Sequence, residues 1–354
     1  MSALPRSLMR SLAALAMLAS CPGGKNKPSE PPATKHDAGN VPTPQHDSGV
    51  AALAPAPALP TVPAGLPPLP ALPAVTPEAV ALGELLFWDP RLSSTGKLSC
   101  ASCHEPAAGF AGAGRQDTAD GKPNLRRAPA LINLAWTPQL GWDGRFESVQ
   151  SQLASHTRGQ LGQPIETSVA LISTVPVYQL HLARVGGAPA TAVVDALAAY
   201  ALTRYAGDSP WDRMEESGDS APEIKAGYRL FSGKAQCSVC HTPPLYTDLG
   251  FHRLGLISIR DDGRGRVDAA KAGAFRTPTL RGAVARKAFF HDGSASTLAA
   301  AVDWHLAGGT GHKADPSIVD IKPVPLTATE RTQLNAFITA LTAPAAPIAP
   351  PVLP

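Results

Sequence analysis

Residues 98–110, LSCASCHEPAAGF, hold two cysteines, Cys100 and Cys103, that are separated by two residues and followed at once by His104. This Cys-x-x-Cys-His arrangement is typical of c-type haem attachment, in which the thiols add to the two vinyl groups and the histidine becomes an axial ligand of the iron. A zinc site would need four ligands from such clusters, and a redox-active cysteine pair needs no adjacent histidine. The stretch therefore indicates the haem-binding segment of a small helical domain.

A second copy of the arrangement lies far downstream in AQCSVCHTPPL, residues 235–245, with Cys237, Cys240 and His241. The chain has five cysteines, so the two copies use all but one of them. A zinc ribbon or disulfide pairs are the alternative uses of such cysteines. Two complete copies favour two covalently bound c-type haems, each with its adjacent histidine as an iron ligand.

The remaining cysteine, Cys21, ends a predicted lipoprotein signal peptide at residues 1–21. Arg6 and Arg10 precede an apolar stretch, and the four residues ending at Cys21 match the motif at which a signal peptidase cuts and the cysteine is acylated. The apolar stretch is shorter than the roughly 20 residues of a membrane-spanning helix. We therefore expect export to the periplasm and a lipid anchor through Cys21, with an ordinary signal peptide as the alternative. Export agrees with the attachment of c-type haem outside the cytoplasm.

The composition divides the rest of the chain into four parts. Residues 22–75 are mainly Pro, Ala, Gly and polar residues. They bury too little apolar surface to offset chain entropy, so they are predicted to form a partly extended tether. Residues 343–354 are predicted to be a similar disordered tail. The chain between them is long enough for two haem domains, an N-terminal one at 76–220 and a C-terminal one at 221–342.

The charge of the chain argues against nucleic acid as a partner. The net charge is +3, and the arginines are dispersed along the sequence rather than clustered. Many of these arginines are instead expected to face the haem propionates.

Helix signals dominate the region between the tether and the tail. Thr76 precedes a proline and a glutamate, and Thr327 with Glu330 forms a capping box. Segments with helical apolar spacing are TPEAVALGELLFWD (76–89), VVDALAAYALTRY (193–205), APEIKAGYRLF (221–231) and TATERTQLNAFITAL (327–341). No alternating strand pattern of comparable length occurs. The predicted fold class is mainly α, with two cytochrome c-like haem domains joined by long loops.

Several longer motifs follow one another in a characteristic order. They are GELLFWDPRLSSTGKLSCASCHEP, APALINLAWTPQLGWDGRFESVQSQ, GYRLFSGKAQCSVCHTPPLYTD, GAFRTPTLRG and FFHDGSASTLAAAVDWH. In this order they resemble the bacterial di-haem cytochrome c peroxidase family, including its MauG-type and MbnH-type members, over residues 76–342. The resemblance implies a division of labour, in which one iron reacts with peroxide while the other stores or delivers an electron.

The resemblance also indicates what surrounds the first haem. Many relatives place a distal histidine some fifteen residues after the first motif, but residues 105–135 contain neither His nor Met. We therefore expect an iron that is open to peroxide, unless His156 approaches it. Alignment on WDGR gives Gln152 and Glu166 the places of the family's distal glutamine and glutamate. Glu166 is then the expected acid/base for peroxide, with His156 as its rival or else an exposed loop histidine.

Trp142, in GWDGR, aligns with an indole that the family places between the two haems. An easily oxidised side chain there would assist electron transfer between the haems. A purely structural core aromatic is compatible with that role, because a relay has to be packed. Trp136 is the alternative relay.

The second haem is expected to have His305 as its distal ligand. The family takes this ligand from the helix after FHDGS, where methionine or tyrosine occurs, and the alignment places His305 there. With His241 on the other side, the resemblance implies a low-spin bis-histidine haem. A surface histidine is the alternative for His305.

The family's calcium site does not match this sequence. Arg127 and Arg286 stand where the relatives have an asparagine and a threonine. A guanidinium has a fixed positive charge and only donates hydrogen bonds, so it cannot ligate a cation. Calcium binding is therefore doubtful.

Two functions agree with these features. The first is a peroxidase that takes electrons from a small periplasmic cytochrome c or cupredoxin, or from a protein substrate that it oxidises. The second is a di-haem electron-transfer protein without peroxidase turnover. Hydrogen peroxide is the expected small-molecule substrate, and the membrane is contacted only through the lipid anchor.

Overall fold

The computed structural model describes residues 53–72, 74–219, 221–256, 261–309, 319–344 and 347–354. The predicted signal peptide with Cys21, and the tether up to residue 52, lie outside the described residues. The ten α-helices of the described residues are α1 (Pro77–Trp88), α2 (Cys100–Cys103), α3 (Val149–Gly159), α4 (Ile165–Ile172), α5 (Pro176–Val185), α6 (Pro189–Leu202), α7 (Pro210–Ser217), α8 (Pro222–Ser232), α9 (Leu298–Leu306) and α10 (Ala328–Ala340). One short antiparallel pair, β1 (Phe251–His252) and β2 (Phe275–Arg276), joins Phe251 to Arg276. The predicted mainly α fold and its four helices are confirmed.

The first helical core is built on the contact between α1 and α6. Thr76 starts α1, because its hydroxyl accepts a hydrogen bond from the Ala79 amide at 3.1 Å. A Cβ at Gly83 would overlap the carbonyl of Ala196, so glycine lets the two helices approach closely. The core around this contact consists of buried Leu82, Leu86, Phe110, Ile172, Tyr178, Val193 and Tyr200.

The second core repeats this construction with α8 and α10. A Cβ at Gly227 in α8 would overlap the carbonyl of Gln333 in α10. Thr327 and Glu330 form the capping box that starts α10, as the sequence predicts. Aromatic rings fill this core, with Phe231 and Phe337 fully buried and their centroids 4.9 Å apart. Two helical units thus follow each other in the chain, each containing one Cys-x-x-Cys-His motif.

The described part of the Pro/Ala-rich segment has no regular secondary structure, yet it contacts the helical units. The Trp136 indole donates to the Pro68 carbonyl at 3.0 Å, and the Asp208 amide donates to the Ala64 carbonyl at 2.8 Å. Residues 347–354 also lack regular structure, and the Pro354 carbonyl accepts from Arg91 at 2.9 Å. In the described part of the chain no single helix is long and apolar enough to span a membrane; α5 and α6 together reach that length and composition, across an 81° bend.

Candidate functional site

The second Cys-x-x-Cys-His motif faces a histidine on α9. Nδ1 of His241 lies 3.1 Å from the Tyr246 carbonyl, and Nδ1 of His305 lies 2.8 Å from the Ala301 carbonyl, one helical turn earlier. A carbonyl only accepts, so in each imidazole Nδ1 carries the hydrogen and Nε2 keeps its lone pair. The centroids of the two rings lie 6.4 Å apart, and the ring planes meet at 64°.

This separation fits a metal ion between the two imidazoles. Two metal–nitrogen bonds of about 2 Å, plus about 1 Å from each nitrogen to its ring centre, place the centroids about 6 Å apart. A cavity of about 240 Å³ extends beside the two rings, and Cys237 and Cys240 line it with apolar side chains such as Phe231. The residues present therefore fit an iron porphyrin that is attached through the two thiols.

Burial keeps both the imidazole and the thiol of this site uncharged. Burial and, to a smaller extent, the neighbouring His305 together lower the pKa of His241 to about 4. Burial also raises the pKa of the Cys237 thiol to about 12. A neutral imidazole is the form that ligates a metal.

Three buried arginines line the same cavity: Arg127, Arg276 and Arg286. None of them forms an ion pair with a carboxylate of the described residues; they donate instead to backbone carbonyls, as Arg127 does to Phe290 at 2.6 Å. Burial lowers the pKa of Arg286 to about 9, assisted by repulsion from the other two guanidiniums, and its Nε has no hydrogen-bond partner. Unpaired buried cations are costly. The carboxylates of the haem propionates would supply the negative charges that these three arginines lack.

Trp142 contacts the surroundings of both motifs. It is buried and lines the second cavity, and its indole donates to the Arg127 carbonyl at 2.9 Å. Two residues further along the chain, the Pro129 carbonyl lies 2.9 Å from Nδ1 of His104. Residues 127–129 thus connect Trp142 to the ligand histidine of the first motif. Trp136 does not line this cavity; its ring lies 5.6 Å from that of Tyr205, at an interplanar angle of 60°.

The residues that follow Trp142 hold its loop in place. Asp143 is buried and paired at 2.8 Å with Arg126, which also pairs with Asp261 at 2.6 Å. Gly144 has φ +65°, and a Cβ there would overlap the Phe251 ring, so only glycine fits. The WDGR motif therefore needs its aspartate as an anchor and its glycine for a close approach.

The histidines of the two motifs, His104 and His241, are held alike, each by contacts between Nδ1 and a backbone carbonyl. His104 is buried, with Nδ1 tied to Pro129 and also 3.2 Å from the Phe110 carbonyl. Burial lowers its pKa to about 4, and His156 makes the next largest contribution. The predicted iron ligand His104 is therefore held neutral by its surroundings, including His156, the predicted rival of Glu166.

The predicted distal residues occupy different environments. Gln152 and His156 lie one turn apart in α3, and Nδ1 of His156 lies 3.1 Å from the Gln152 carbonyl. Glu166 is exposed in the first turn of α4, and its side chain makes no hydrogen bond to the described residues. Which of Glu166 and His156 serves as the acid/base for peroxide stays a prediction.

Several buried residues around the sites have roles that the sequence does not predict. Arg276 and Arg281, in FRTPTLR, are buried, and Arg281 pairs with Asp212 at 2.7 Å. Their presence in the FRTPTLR motif is the only sign of these roles in the sequence, because the residues that they hydrogen-bond lie far away in the chain.

Two helical units, each with a Cys-x-x-Cys-His motif, define the class of di-haem c-type proteins. The model of the di-haem cytochrome c peroxidase family matches residues 77–220. The methylamine utilization protein MauG of Methylorubrum extorquens is 36% identical over 293 residues, which are 79% of this chain and 82% of that protein. The cytochrome-c peroxidase IdrP1 of Denitromonas iodatirespirans is 32% identical over 311 residues, covering 75% of this chain and 82% of that protein.

The chain therefore belongs to the di-haem cytochrome c peroxidase family. It is an oxidoreductase with two covalently bound c-type haems, as the sequence predicts. A solved structure of a MauG-like protein associated with microbial copper homeostasis has the same fold, with a TM-score of 0.73 and 24% identity over 80% of this chain and 95% of that one.

Proposed function

We propose that hydrogen peroxide is reduced at the first haem site and that the second haem site stores or relays electrons. The observation that carries this assignment is a difference between the two histidine pairs. His241 and His305 face each other at 6.4 Å, which suits a closed bis-histidine site. Among the ring contacts of the described residues, none pairs His104 with a second imidazole; that of His156 is with Phe146, which supports a first site without a second histidine ligand.

Each of the two haems is attached and ligated by its own set of residues. Cys100 and Cys103 attach the first haem and His104 ligates it; in the second site, the corresponding residues are Cys237, Cys240 and His241, with His305 on the distal side. When bound, the haems supply the iron that reacts with peroxide and the centre that stores or delivers electrons. The protein holds each ligand imidazole in one orientation through the Nδ1 hydrogen bond and shields it from water.

Trp142 is proposed as the electron relay between the two sites. Its ring is packed beneath the Arg127 guanidinium at 5.1 Å and connected to His104 through residues 127–129. This connection to both sites supports Trp142 over Trp136.

The partner and the location are also proposals. A small cytochrome c or cupredoxin would supply electrons, or a protein substrate would be oxidised, as MauG and the cytochrome c peroxidases among the relatives suggest by their names. The signal sequence supports a periplasmic protein that is anchored to a membrane through Cys21. Cys21→Ser should release the protein from the membrane fraction if the anchor is present, while an unchanged distribution would argue against it.

Electron paramagnetic resonance of the oxidised protein tests the proposed function. We expect one high-spin and one low-spin ferric haem, with the high-spin signal changing when peroxide is added without prior reduction. Two low-spin haems that are inert to peroxide would favour the electron-transfer alternative. Steady-state peroxide reduction with a reduced cytochrome or cupredoxin then identifies the donor.

A further inference from the structure

We propose that three buried arginines, Arg127, Arg276 and Arg286, form one positively charged cluster that serves both haem sites, binding haem carboxylates from each site and raising the reduction potentials of both haems. These three residues are called the arginine cluster below. The inference goes beyond the proposed function, because it holds whichever of the two haems reacts with peroxide.

The arginine cluster borders two adjoining cavities. The larger cavity, of about 240 Å³, is lined by all three arginines and by the ligand histidines His241 and His305. A smaller cavity, of about 20 Å³, is lined by the same three arginines and by Trp142. Its volume is sufficient for a polar group the size of a water molecule. The cluster therefore presents positive charge to the second haem site and to a second, separate space.

The smaller cavity reaches the segments that hold both motif histidines. Pro129 lines it, and the Pro129 carbonyl lies 2.9 Å from Nδ1 of His104. The residues before and after Tyr246 also line it, and the Tyr246 carbonyl lies 3.1 Å from Nδ1 of His241. The cavity that the cluster borders is thus joined to each predicted iron ligand through a single backbone segment.

The described residues do not neutralise the charge of the cluster. Arg127, Arg276 and Arg286 are 3%, 8% and 6% exposed. Their hydrogen bonds go to backbone carbonyls, from Nε of Arg127 at 2.6 Å, Nε of Arg276 at 3.2 Å and Nη2 of Arg286 at 2.8 Å. Nε of Arg286 has no hydrogen-bond partner. Asp292 attracts Arg127 electrostatically, but the two form no ion pair. An uncompensated buried cation is costly, so the cluster requires anionic groups.

Other buried arginines of the protein have carboxylate partners. Arg126 pairs with Asp143 at 2.8 Å, and Arg281 pairs with Asp212 at 2.7 Å. The fold therefore supplies aspartates to some buried guanidiniums and none to the arginine cluster. Haem propionates are carboxylates that do not belong to the polypeptide, and a guanidinium binds a carboxylate through short, charge-assisted hydrogen bonds.

Buried positive charge raises the reduction potential of a nearby iron, because Fe(II) carries one positive charge fewer than Fe(III). A unit charge about 12 Å away, at an effective dielectric constant of about 20, changes an equilibrium constant about tenfold. For a one-electron couple, a tenfold change corresponds to about 59 mV. Removal of one arginine should therefore lower the potential of every haem that the cluster serves.

Arg286→Gln tests this inference in the full-length holoprotein, and Arg127→Gln provides a second variant of the cluster. The matched control is Arg213→Gln on α7, which removes a guanidinium whose side chain is 62% exposed. A spectroelectrochemical titration measures the potentials of both haems. We expect each cluster variant to lower the reduction equilibrium constant of both haems about tenfold, a downward shift of about 59 mV. The control should leave both constants within about threefold of the unmodified protein.

Two further measurements separate a change of charge from a loss of structure. The pyridine haemochrome assay should still give two haems per chain in the cluster variants, and electron paramagnetic resonance should give unchanged spin states. A potential shift confined to the second haem would overturn the inference, because the cluster would then serve one site only. Unchanged or raised potentials in both cluster variants, or an equal shift in Arg213→Gln, would also contradict it.

Discussion

The buried ion pair between Arg281 and Asp212 should contribute far more to the free energy of unfolding than an exposed ion pair of this protein does. Their side chains are 1% and 2% exposed, and Nη1 and Nη2 of Arg281 donate to the carboxylate at 2.7 and 2.9 Å. Nε donates to the Pro244 carbonyl at 2.7 Å, and Nη2 to the Gly65 carbonyl at 2.5 Å. Arg281→Met removes all four hydrogen bonds and leaves a buried carboxylate without its cation.

The expected loss in free energy of unfolding is about 3–5 kcal/mol, which corresponds to a fall in Tm of roughly 4–7 °C for an unfolding entropy of about 2.1 cal/mol/K per residue. The matched control is Arg213→Met. Arg213 also pairs with an aspartate, Asp208, at 2.7 Å, but these side chains are 62% and 49% exposed. Removing that pair should cost about 0–1 kcal/mol. Thermal unfolding of both holoproteins, followed by far-ultraviolet circular dichroism, measures the difference.

The pH dependence gives this prediction a second test. Burial by itself would raise the pKa of Asp212, but the hydrogen bonds from Arg281 and Ser209 hold it below its usual range. A depressed pKa contributes stability above the unfolded-state value of about 4 and loses it as the pH falls through the folded-state value. The gap between the native protein and Arg281→Met should therefore narrow below about pH 4. Equal losses in Arg281→Met and Arg213→Met at pH 7, or a gap that widens in acid, would refute the reasoning.

Other predictions concern the haem sites. His305→Ala should convert the second haem from low-spin to high-spin, and an unaltered low-spin spectrum would mean that its ligand lies elsewhere. His305→Met should raise the reduction potential of this haem in a redox titration, because a thioether favours Fe(II) more than imidazole does. Replacing Cys237 and Cys240 together by alanine should reduce the pyridine haemochrome count from two haems per chain to one. EDTA should leave both spectra unchanged, because Arg127 cannot ligate a cation; a spectral change reversed by calcium would contradict this. Trp142→Phe should slow electron transfer between the haems, measured by stopped flow, while the stoichiometry of two haems is preserved.

The sequence predicted the helices that have clear starts and apolar stripes. Thr76 and Thr327 accept hydrogen bonds from amides of the first turn, as their positions indicate, and α6 and α8 follow their apolar spacing. The helix α3 was not predicted, because VQSQLASHTRG has few apolar residues and only Thr157 of it is buried. Its stability comes from a capping box at Ser148 and from contacts with other helices, which periodicity does not show.

The candidate site could be predicted only where one short motif contains the chemistry. Cys100, Cys103 and His104 are adjacent in sequence, so their joint role is visible without a structure. The pairing of Arg281 with Asp212 spans 69 residues, and no local pattern reports it. The position of His156 likewise depends on how α3 packs against the first motif. The sequence left that histidine and Glu166 as rivals because a linear alignment cannot place either relative to His104.

Two helical histidines of this protein share one local geometry. His156 and His305 both have Nδ1 fixed by the carbonyl four residues earlier, so each keeps a lone pair on Nε2. They differ in their ring contacts. His305 lies 6.4 Å from His241, a distance that suits an iron between the two rings, whereas the ring contact of His156 is with Phe146 at 6.5 Å. Whether a helical histidine can share an iron with a motif histidine therefore depends on where its helix is packed, rather than on the residue type that the helix carries.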